Sequence, residues 1–188
     1  MSALAKAHPD KLIIGIDANP KALEKLSIKI TRKPAKGGLP NAMFVQAAVE
    51  SLPEELEGIG DEVFINFPWG SLLGAVANGD RSILRALYRL LKSRGTLKIT
   101  IGTDPTRDRA ELERLRIPEL DLPYLDCSLS AAYSNVGFKM TGCHELTEGE
   151  WSAIETSWAG RLCGNDARRV YQMIFCREDR DDGERGEV

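Results

Sequence analysis

The segment EVFINFPWGSLL (62–73) gives the clearest structural signal in the chain, because an apolar strand pattern leads directly into a Pro-Trp-Gly turn. On both sides of it, short apolar runs alternate with helical patterns. In chain order these are KLIIGID, PKALEKLSIKIT, AMFVQAA, EVFINF, RSILRALYRLLKS, TLKITI and RRVYQMIF. Such alternation is typical of a parallel sheet covered by helices. The sequence therefore predicts the α/β fold class with an open, mainly parallel sheet.

Two helices have recognisable starts. Asn19 precedes Pro20, an arrangement favoured at a helix N-terminus. Asp80 likewise precedes a helix that we expect to end near Gly95, where glycine can adopt the left-handed cap. The segment GFKMTGCHEL (137–146) should pair with RRVYQMIF at one edge of the sheet.

Composition and charge indicate one folded domain with an acidic end. The 188-residue chain is 43% hydrophobic, which is enough for one sizeable core. Its net charge of −3 comes from the last twelve residues, REDRDDGERGEV, which carry six acidic and three basic side chains. We expect one domain over residues 1–176 and a disordered acidic tail over 177–188. The body is neutral, so attraction for a nucleic acid would depend on a local basic face.

Membrane, secreted and metal-binding classes are disfavoured. The longest apolar runs are too short to cross a bilayer, and the first residues lack a secretory hydrophobic region. The spacing of the cysteines and histidines suits neither a zinc site nor a disulfide framework. These residues are Cys127, Cys143, Cys163, Cys176, His8 and His144. We expect a soluble cytoplasmic protein with reduced thiols and without a bound metal.

Ligands of doubly wound sheets lie over the carboxyl ends of the strands, so the residues that follow each strand are candidate site residues. Asp17 follows LIIGI, the small segment Ala48–Glu50 follows MFVQA, and Phe67–Ser71 follows VFIN. The two oxygens of a carboxylate match the two hydroxyls of a ribose. Asp17 is therefore a candidate for a nucleoside cofactor, although it could instead only cap the following helix.

Trp69 has the sequence setting of a loop residue. It follows a strand directly and stands between Pro68 and Gly70, which places it over the end of the sheet. An isolated tryptophan is more often a core residue, and that alternative remains open for Trp69 and Trp158. Trp151 lacks such a setting, and we interpret it as a packing residue.

The runs TRKPAKGGLPNAMFVQAAVESLP (31–53), FPWGSLL (67–73) and TSWAGRL (156–162) resemble the kanamycin and apramycin resistance methyltransferases, which modify N1 of adenine 1408 in 16S rRNA. The resemblance covers roughly residues 1–175. It implies a Rossmann-like seven-strand methyltransferase fold with S-adenosyl-L-methionine bound over the sheet. Only SALAKAHPDK precedes the strand LIIGID. We therefore expect a sheet that lacks its central first strand and the glycine-rich cofactor turn.

The resemblance also implies roles for individual residues. Trp69 and Trp158 would hold the target base, and Asp17 would bind the cofactor ribose. The implied cofactor-binding residues are Asp17, Ala18, Ala48, Val49, Glu50, Phe67, Trp69, Ser71, Thr156 and Ser157. Two departures from the family are Ala18, which stands where a proline often follows the acid, and the segment CGNDARR (163–169), which is less basic than usual. We expect Asp17, Glu50 and Trp69 to converge over one carboxyl edge.

Basic residues recur at every fourth position from Lys21 to Lys33, and so line one side of a helix. A solvated helix face is the usual meaning of such a stripe, and RNA docking is the alternative. The candidate RNA-binding residues are Lys29, Arg32, Lys33, Lys36, Arg114, Arg116, Arg161, Arg168 and Arg169. The expected partner is the decoding-site helix of 16S rRNA in the 30S ribosomal subunit, bound by a monomer.

The chemistry of the implied reaction makes few demands on acid–base residues. Adenine N1 carries a lone pair and no proton, so it can attack a sulfonium methyl without a general base, and orientation is the main requirement. Two alternatives stay open from the residues alone. One is a methyltransferase of a small molecule or a protein, and the other is a non-catalytic RNA-binding remnant.

Overall fold

The computed structural model describes residues 1–154 and 168–179, which form two compact units. We call residues 1–53 the N-terminal unit. Residues 54–154 together with 168–179 are the C-terminal unit. Within the described ranges, no helix is long and apolar enough to span a membrane.

The N-terminal unit is a two-stranded parallel sheet with two helices. In chain order its elements are α1 (Ser2–Ala7), β1 (Ile13–Asp17), α2 (Pro20–Ile30) and β2 (Ala42–Gln46). The side chain of Asn19 accepts a hydrogen bond from the backbone of Lys21 at 3.0 Å, which confirms the predicted helix start. The core of this unit consists of Ala5, Ile30 and Leu39, with partly buried apolar residues around them.

The C-terminal unit contains a four-stranded mixed sheet. Its elements are β3 (Gly60–Asn66), α3 (Gly70–Asn78), α4 (Arg81–Leu90), β4 (Leu91–Thr103), α5 (Arg109–Arg114), a π-helical turn (Tyr124–Leu129), α6 (Ser130–Ser134), β5 (Phe138–Glu145), α7 (Glu148–Ser152) and β6 (Arg169–Arg177). The strand order is β3-β4-β6-β5. β3 and β4 are parallel, whereas β6 runs antiparallel to both β4 and β5. The predicted strand pair at one sheet edge is confirmed.

Aromatic stacking and one amphipathic helix build the core of this sheet. The rings of Tyr133 and Phe175 stack at 4.1 Å between centroids, and Phe138 packs against both. α4 buries Ile83, Leu84, Leu87 and Leu90 along one face. Full burial of one such side chain contributes about 1.5–3 kcal/mol. The helical spacing of these apolar residues thus accounts for the buried face of α4.

The end of α4 differs from the sequence-based expectation. The helix stops at Leu90, and the chain is already extended at Leu91. A side-chain carbon on Gly95 would lie 2.9 Å from the carbonyl oxygen of Lys92 and 3.0 Å from that of Gly60. Gly95 is therefore required for a close approach of backbones at the start of β4, where the pairing with β3 is irregular. The prediction of a helix cap at Gly95 is wrong.

The predicted α/β class is confirmed, but the sheet is mixed and not mainly parallel as expected: among the described strands two pairings are parallel and two are antiparallel. β1 pairs with β2, and β3 pairs with β4, in both cases in parallel. Within the residues described, no strand pairs with the second edge of β1 or with the second edge of β3.

At the other end of the chain, β6 continues through Arg177, whose guanidinium lies 4.3 Å from the centre of the Tyr88 ring. The first residue of the predicted tail therefore belongs to the sheet.

The cap of α4 yields a stability prediction. Asp80 Oδ1 accepts hydrogen bonds from the backbone of Ser82 at 2.9 Å and of Ile83 at 3.1 Å, and from the Ser82 hydroxyl at 2.6 Å. The Ser82 hydroxyl, followed by the Ile83 amide, lowers the pKa of the Asp80 carboxyl. We expect Asp80→Ala to lower the free energy of unfolding by about 1 kcal/mol at pH 7, as measured by urea denaturation.

The same carboxylate makes this loss dependent on pH. Because its folded-state pKa is depressed, Asp80 stabilises the fold above the ordinary pKa of about 3.9 and loses this effect as the pH falls through the folded-state pKa. The difference between wild type and Asp80→Ala should therefore shrink below pH 4. The control is Asp80→Asn, which keeps a neutral acceptor and should retain most of the stability at pH 7. An equal loss in both variants would contradict the capping role.

Candidate active site

The carboxyl end of β3 forms one edge of the C-terminal sheet, where several candidate residues meet. At the end of β3, Asn66 pairs with Thr100 of the parallel strand β4. β4 then continues beyond this pair as far as Thr103. β6 runs the other way, so that its first residue, Arg169, pairs with Thr103 at the same edge. This edge is therefore formed by the ends of β3 and β4 and by the start of β6.

Trp69 is presented at this edge by two left-handed backbone positions. Phe67 has a φ of +51° and Gly70 a φ of +61°, and Trp69 between them is extended. The Trp69 side chain is 45% exposed and directly precedes α3. The loop position that the sequence predicted for Trp69 is confirmed, and the alternative of a core residue does not fit this exposure.

Phe67 anchors the loop from below. Its ring is 7% exposed and packs in a cluster with Trp151, which is 3% exposed, and Val170, which is 1% exposed. The rings of Phe67 and Trp151 meet edge to face at 6.3 Å. The interpretation of Trp151 as a packing residue is confirmed. The sequence resemblance assigned Phe67 to the cofactor, but its ring is buried in this cluster and is not available for such a contact.

The end of β1 carries the candidate acid of the N-terminal unit. Asp17 is exposed, and its Oδ1 accepts a hydrogen bond from the backbone of Asn19 at 2.8 Å. In the described part of the chain Oδ2 has no partner, and each carboxylate oxygen has two lone pairs. The carboxylate thus supports the turn before α2 and also keeps both oxygens able to accept hydrogen bonds from two ribose hydroxyls. It fits the ribose of the implied cofactor.

A small turn lies beside Asp17. The backbone amide of Ala47 donates to the carbonyl oxygen of Asp17 at 3.3 Å, and a single 3₁₀ turn follows over Val49–Ser51. Ala48 and Val49 are half-buried and Glu50 is exposed. The expected neighbourhood of Asp17 and Glu50 at one carboxyl edge is present in the N-terminal unit. Their convergence with Trp69 stays a prediction.

Six exposed cations follow one another on α2 and the loop after it, and we call them the basic surface. They are Lys21, Lys25, Lys29, Arg32, Lys33 and Lys36. The loop folds back on the helix end, because Leu39 donates a backbone hydrogen bond to Ile30 at 2.8 Å. A side-chain carbon on Gly38 would overlap the carbonyl of Arg32, so only glycine allows this turn. Within the described residues, none of the six cations forms an ion pair.

The remaining candidate arginines differ in their availability to a phosphate. Arg116 is exposed. Arg169 is also exposed but is hydrogen-bonded to the Tyr171 side chain, and Arg114 is held by Glu111 through two hydrogen bonds of 2.7 Å. The side chain of Arg168 is only 7% exposed and contacts Asp108 at 3.1 Å and the carbonyl of Gly102 at 2.9 Å. As placed, Arg168 ties the start of β6 to the end of β4 and does not face a phosphate.

Four candidate residues lie outside the described residues. They are Thr156, Ser157, Trp158 and Arg161.

The surroundings of Cys143 in the C-terminal unit do not activate its thiol as a nucleophile. Burial, with a smaller contribution from Asp126, raises the pKa of the Cys143 thiol to about 11, so the thiol is neutral at pH 7. The expectation that this cysteine is an ordinary thiol agrees with its surroundings.

Two residues at the edge were missed by the sequence analysis. Gly102 lies against the Phe67 ring, and Asp108 holds Arg168. The sequence offered one signal for Gly102, since an isolated glycine inside a strand often marks a close approach. It offered none for Asp108, because its partner is 60 positions away.

Comparisons with known proteins identify the family. The family model described as NpmA, 16S rRNA (adenine(1408)-N(1))-methyltransferase, matches residues 1–176. A 16S rRNA (adenine(1408)-N(1))-methyltransferase of Streptoalloteichus hindustanus is 35% identical over 171 residues, which are 91% of this chain and 77% of the relative.

Solved structures agree with this match. The crystal structure of the aminoglycoside resistance methyltransferase NpmB1 is 45% identical with a TM-score of 0.80, covering 94% of this chain and 80% of its own. A tryptophan-to-alanine mutant of the enzyme from Catenulisporales acidiphilia, solved with its cosubstrate SAM, is 30% identical with a TM-score of 0.85, covering 100% of this chain and 82% of its own. The Rossmann-like methyltransferase fold and the match over residues 1–176 lead to one conclusion: this chain belongs to the 16S rRNA (adenine(1408)-N(1))-methyltransferase family.

Proposed function

We propose that this chain methylates N1 of adenine 1408 in the 16S rRNA of the 30S subunit, with S-adenosyl-L-methionine as the methyl donor, and thereby confers aminoglycoside resistance. Family membership supports the reaction and its substrate. The observation that carries the proposal on this chain is the Trp69 indole, which is 45% exposed at the carboxyl edge of the sheet. An exposed indole at such an edge suits the capture of a base.

Trp69 would hold the adenine by stacking. A base that is modified inside folded RNA must first be turned out of its stack, which costs a few kcal/mol. Stacking on an aromatic face contributes about 1–3 kcal/mol per base and so offsets much of this cost. Trp158 is the second stacking residue that the sequence suggests, on the opposite face of the base. The methylated base is cationic, and aromatic faces would also stabilise that charge.

Asp17 and residues 48–50, at the start of the 3₁₀ turn, would hold the cofactor. Asp17 would accept hydrogen bonds from both ribose hydroxyls, because each of its oxygens retains an unused lone pair. The half-buried Ala48 and Val49 offer small apolar surfaces to an adenine ring, with Glu50 as a polar neighbour. The bound cofactor supplies an electrophilic methyl group on a sulfonium. The task of this chain is then to orient the adenine N1 lone pair towards that methyl group and to exclude other nucleophiles.

The basic surface would dock the enzyme on the ribosomal RNA. Six exposed cations without a paired carboxylate among the described residues provide a local positive field on a chain whose net charge is −3. Phosphate attraction depends on such local clustering, so the net charge does not oppose RNA binding. Arg116 and Arg169 would add contacts from the C-terminal unit. A 30S substrate would place the activity in the cytoplasm, where we expect a monomer of one domain with an acidic tail.

The proposed base capture is tested by changing Trp69. We expect Trp69→Ala to abolish methylation of 30S subunits and Trp69→Phe to retain a fraction, because phenylalanine has a smaller stacking face. The free energy of unfolding should change by less than about 1 kcal/mol, since the side chain is half-exposed. The same two changes at Trp158 test the second stacking residue. The readouts are methyl transfer from labelled cofactor, the resistance of cells and the melting temperature.

Trp151→Ala provides the matched control for burial. Trp151 is 3% exposed, so this change should lower the free energy of unfolding by about 3–5 kcal/mol. A comparable loss of stability in Trp69→Ala would show that Trp69 is a core residue and would contradict its proposed role in base capture. Free nucleosides and proteins serve as alternative acceptors for the wild-type chain. Methylation of those acceptors in place of 30S subunits would favour a different substrate class, and binding of RNA without any transfer would favour a non-catalytic remnant.

A second prediction concerns the basic surface. We expect the triple change of Lys29, Arg32 and Lys33 to glutamate to abolish 30S binding at moderate salt while leaving the melting temperature unchanged, because these side chains are exposed. The measurement is 30S binding over a range of salt concentrations. A milder triple change to alanine should reduce the slope of log affinity against log salt by about one for each phosphate that is no longer neutralised.

The control for charge is a triple change elsewhere on the surface. Arg81, Arg85 and Arg94 are also exposed, and their change to glutamate alters the net charge by the same amount. This control should weaken 30S binding much less. Equal effects of the two triple variants would mean that only total charge matters, and the basic surface would then be an ordinary solvated face.

A further inference from the structure

The loop that presents Trp69 has a backbone that needs support. Phe67 is not a glycine, yet it adopts a φ of +51°, a conformation that is unfavourable for a residue with a side chain. Such a conformation persists only where surrounding contacts compensate for it. The backbone amide of Phe67 donates to the carbonyl of Thr100 at 2.8 Å, which ties the turn to β4. Packing of the Phe67 ring must supply the remaining stabilisation of this backbone conformation.

Space for the Phe67 ring exists because residue 102 is glycine. A side-chain carbon on Gly102 would lie 3.2 Å from two carbons of the Phe67 ring and 3.3 Å from a methyl carbon of Val170. These distances are tighter than ordinary van der Waals contact, so the ring would have to shift. Phe67 directly follows β3, Gly102 lies in β4 and Val170 lies in β6, so three segments meet at this edge.

Trp151 closes the cluster on another side. Its ring meets the Phe67 ring edge to face at 73°, a favourable arrangement for two aromatic rings. α7 is held in place by a reciprocal cap, in which the Glu150 carboxylate accepts from both the backbone and the hydroxyl of Thr147. Leu146 and Ile154 pack around the cluster. The tryptophan is thus carried by its own short helix, and its ring packs against the Phe67 ring.

We propose that Gly102 and Trp151 are positioning residues for the methyl-transfer reaction, acting through Phe67. They seat the Phe67 ring, the ring holds the turn at residues 67–70, and the turn fixes the direction of the Trp69 indole. This inference deepens the proposed function and rests on it. Because the reaction depends on orientation, a small shift of the indole should reduce the rate of transfer without removing the binding surfaces.

The test compares two glycine-to-alanine changes in the same sheet. Gly102→Ala puts a methyl group against the Phe67 ring. Gly142→Ala is the matched control, since its new carbon would be 3.6 Å from the nearest atom of Ile174, an ordinary contact. Both glycines lie inside strands and neither has a positive φ, so both sites accept an alanine backbone.

The kinetic readout separates positioning from folding and from binding. In single-turnover assays with 30S subunits, Gly102→Ala should slow methyl transfer by about 10- to 100-fold. Its affinities for 30S subunits and for the cofactor should stay within about threefold of wild type, a change that is small beside the 10- to 100-fold loss of rate. Gly142→Ala should match wild type in all three measurements. Trp151→Phe should retain more rate than Trp151→Leu at equal folded fraction, because phenylalanine keeps an aromatic edge for the Phe67 ring.

A readout without substrate keeps this inference separate from the proposed function. The chain has three tryptophans, so 5-fluorotryptophan labelling gives resonances that can be assigned by single changes to phenylalanine. Gly102→Ala should shift the ¹⁹F resonance of Trp69, and Gly142→Ala should leave it unchanged. This result would support the coupling even if the wild-type chain did not methylate 30S subunits, an outcome that would count against the proposed function alone.

Two results would overturn the inference. One is a Trp69 resonance that stays in place in folded Gly102→Ala. The other is a transfer rate in Gly102→Ala that equals that of Gly142→Ala, or that falls only in proportion to the unfolded fraction. In each case the cluster would be ordinary core packing without influence on the loop above it.

Discussion

The candidate site depends on one constraint, the reversal of the backbone at Phe67. A left-handed φ of +51° at a phenylalanine is compensated by a hydrogen bond to Thr100 and by burial of the ring to 7% exposure. Burying the ring turns the chain outward, so that the next aromatic residue, Trp69, lies half in solvent. The apolar strand β3 thus ends in a turn that exposes the Trp69 indole. The strain at Phe67 and the exposure of Trp69 are two consequences of the same turn.

The net charge of this chain does not indicate the local charge of its surfaces. The net charge is −3, but the acidic excess lies in the last twelve residues, and the exposed cations of the N-terminal unit are concentrated on α2 and the following loop. The field near a surface is set by the charges within about a Debye length of 8–10 Å, and remote charges are screened. The double glycine after Lys36 brings the loop back against Arg32, which keeps these cations together on one surface.

Local signals predicted the fold well, and long-range contacts were not accessible from the sequence. The strands, the Asn19 cap and the Asp80 cap follow from residues a few positions apart, and the structure has all of them. Gly95 was misjudged because a glycine signals both a helix cap and a close approach of backbones, and only the position of Gly60 distinguishes the two. Arg168 looked like a surface cation because its partner Asp108 is 60 residues away. Burial of a charge is set by such distant partners, which no local pattern reports.

Trp69 and Trp151 show how the neighbouring residues determine whether a tryptophan side chain is exposed or buried. Pro68 and the left-handed backbone at Gly70 place Trp69 in an extended turn just before α3, and the indole is left exposed. The Thr147–Glu150 cap starts a short helix that carries Trp151 into the core beneath the same loop. A reaction that needs no general base places its demands on orientation, and orientation requires that the presenting loop be rigid. Under the proposed function, Trp69 would therefore hold the base only to the extent that Trp151, acting through Phe67, keeps the turn below it in place.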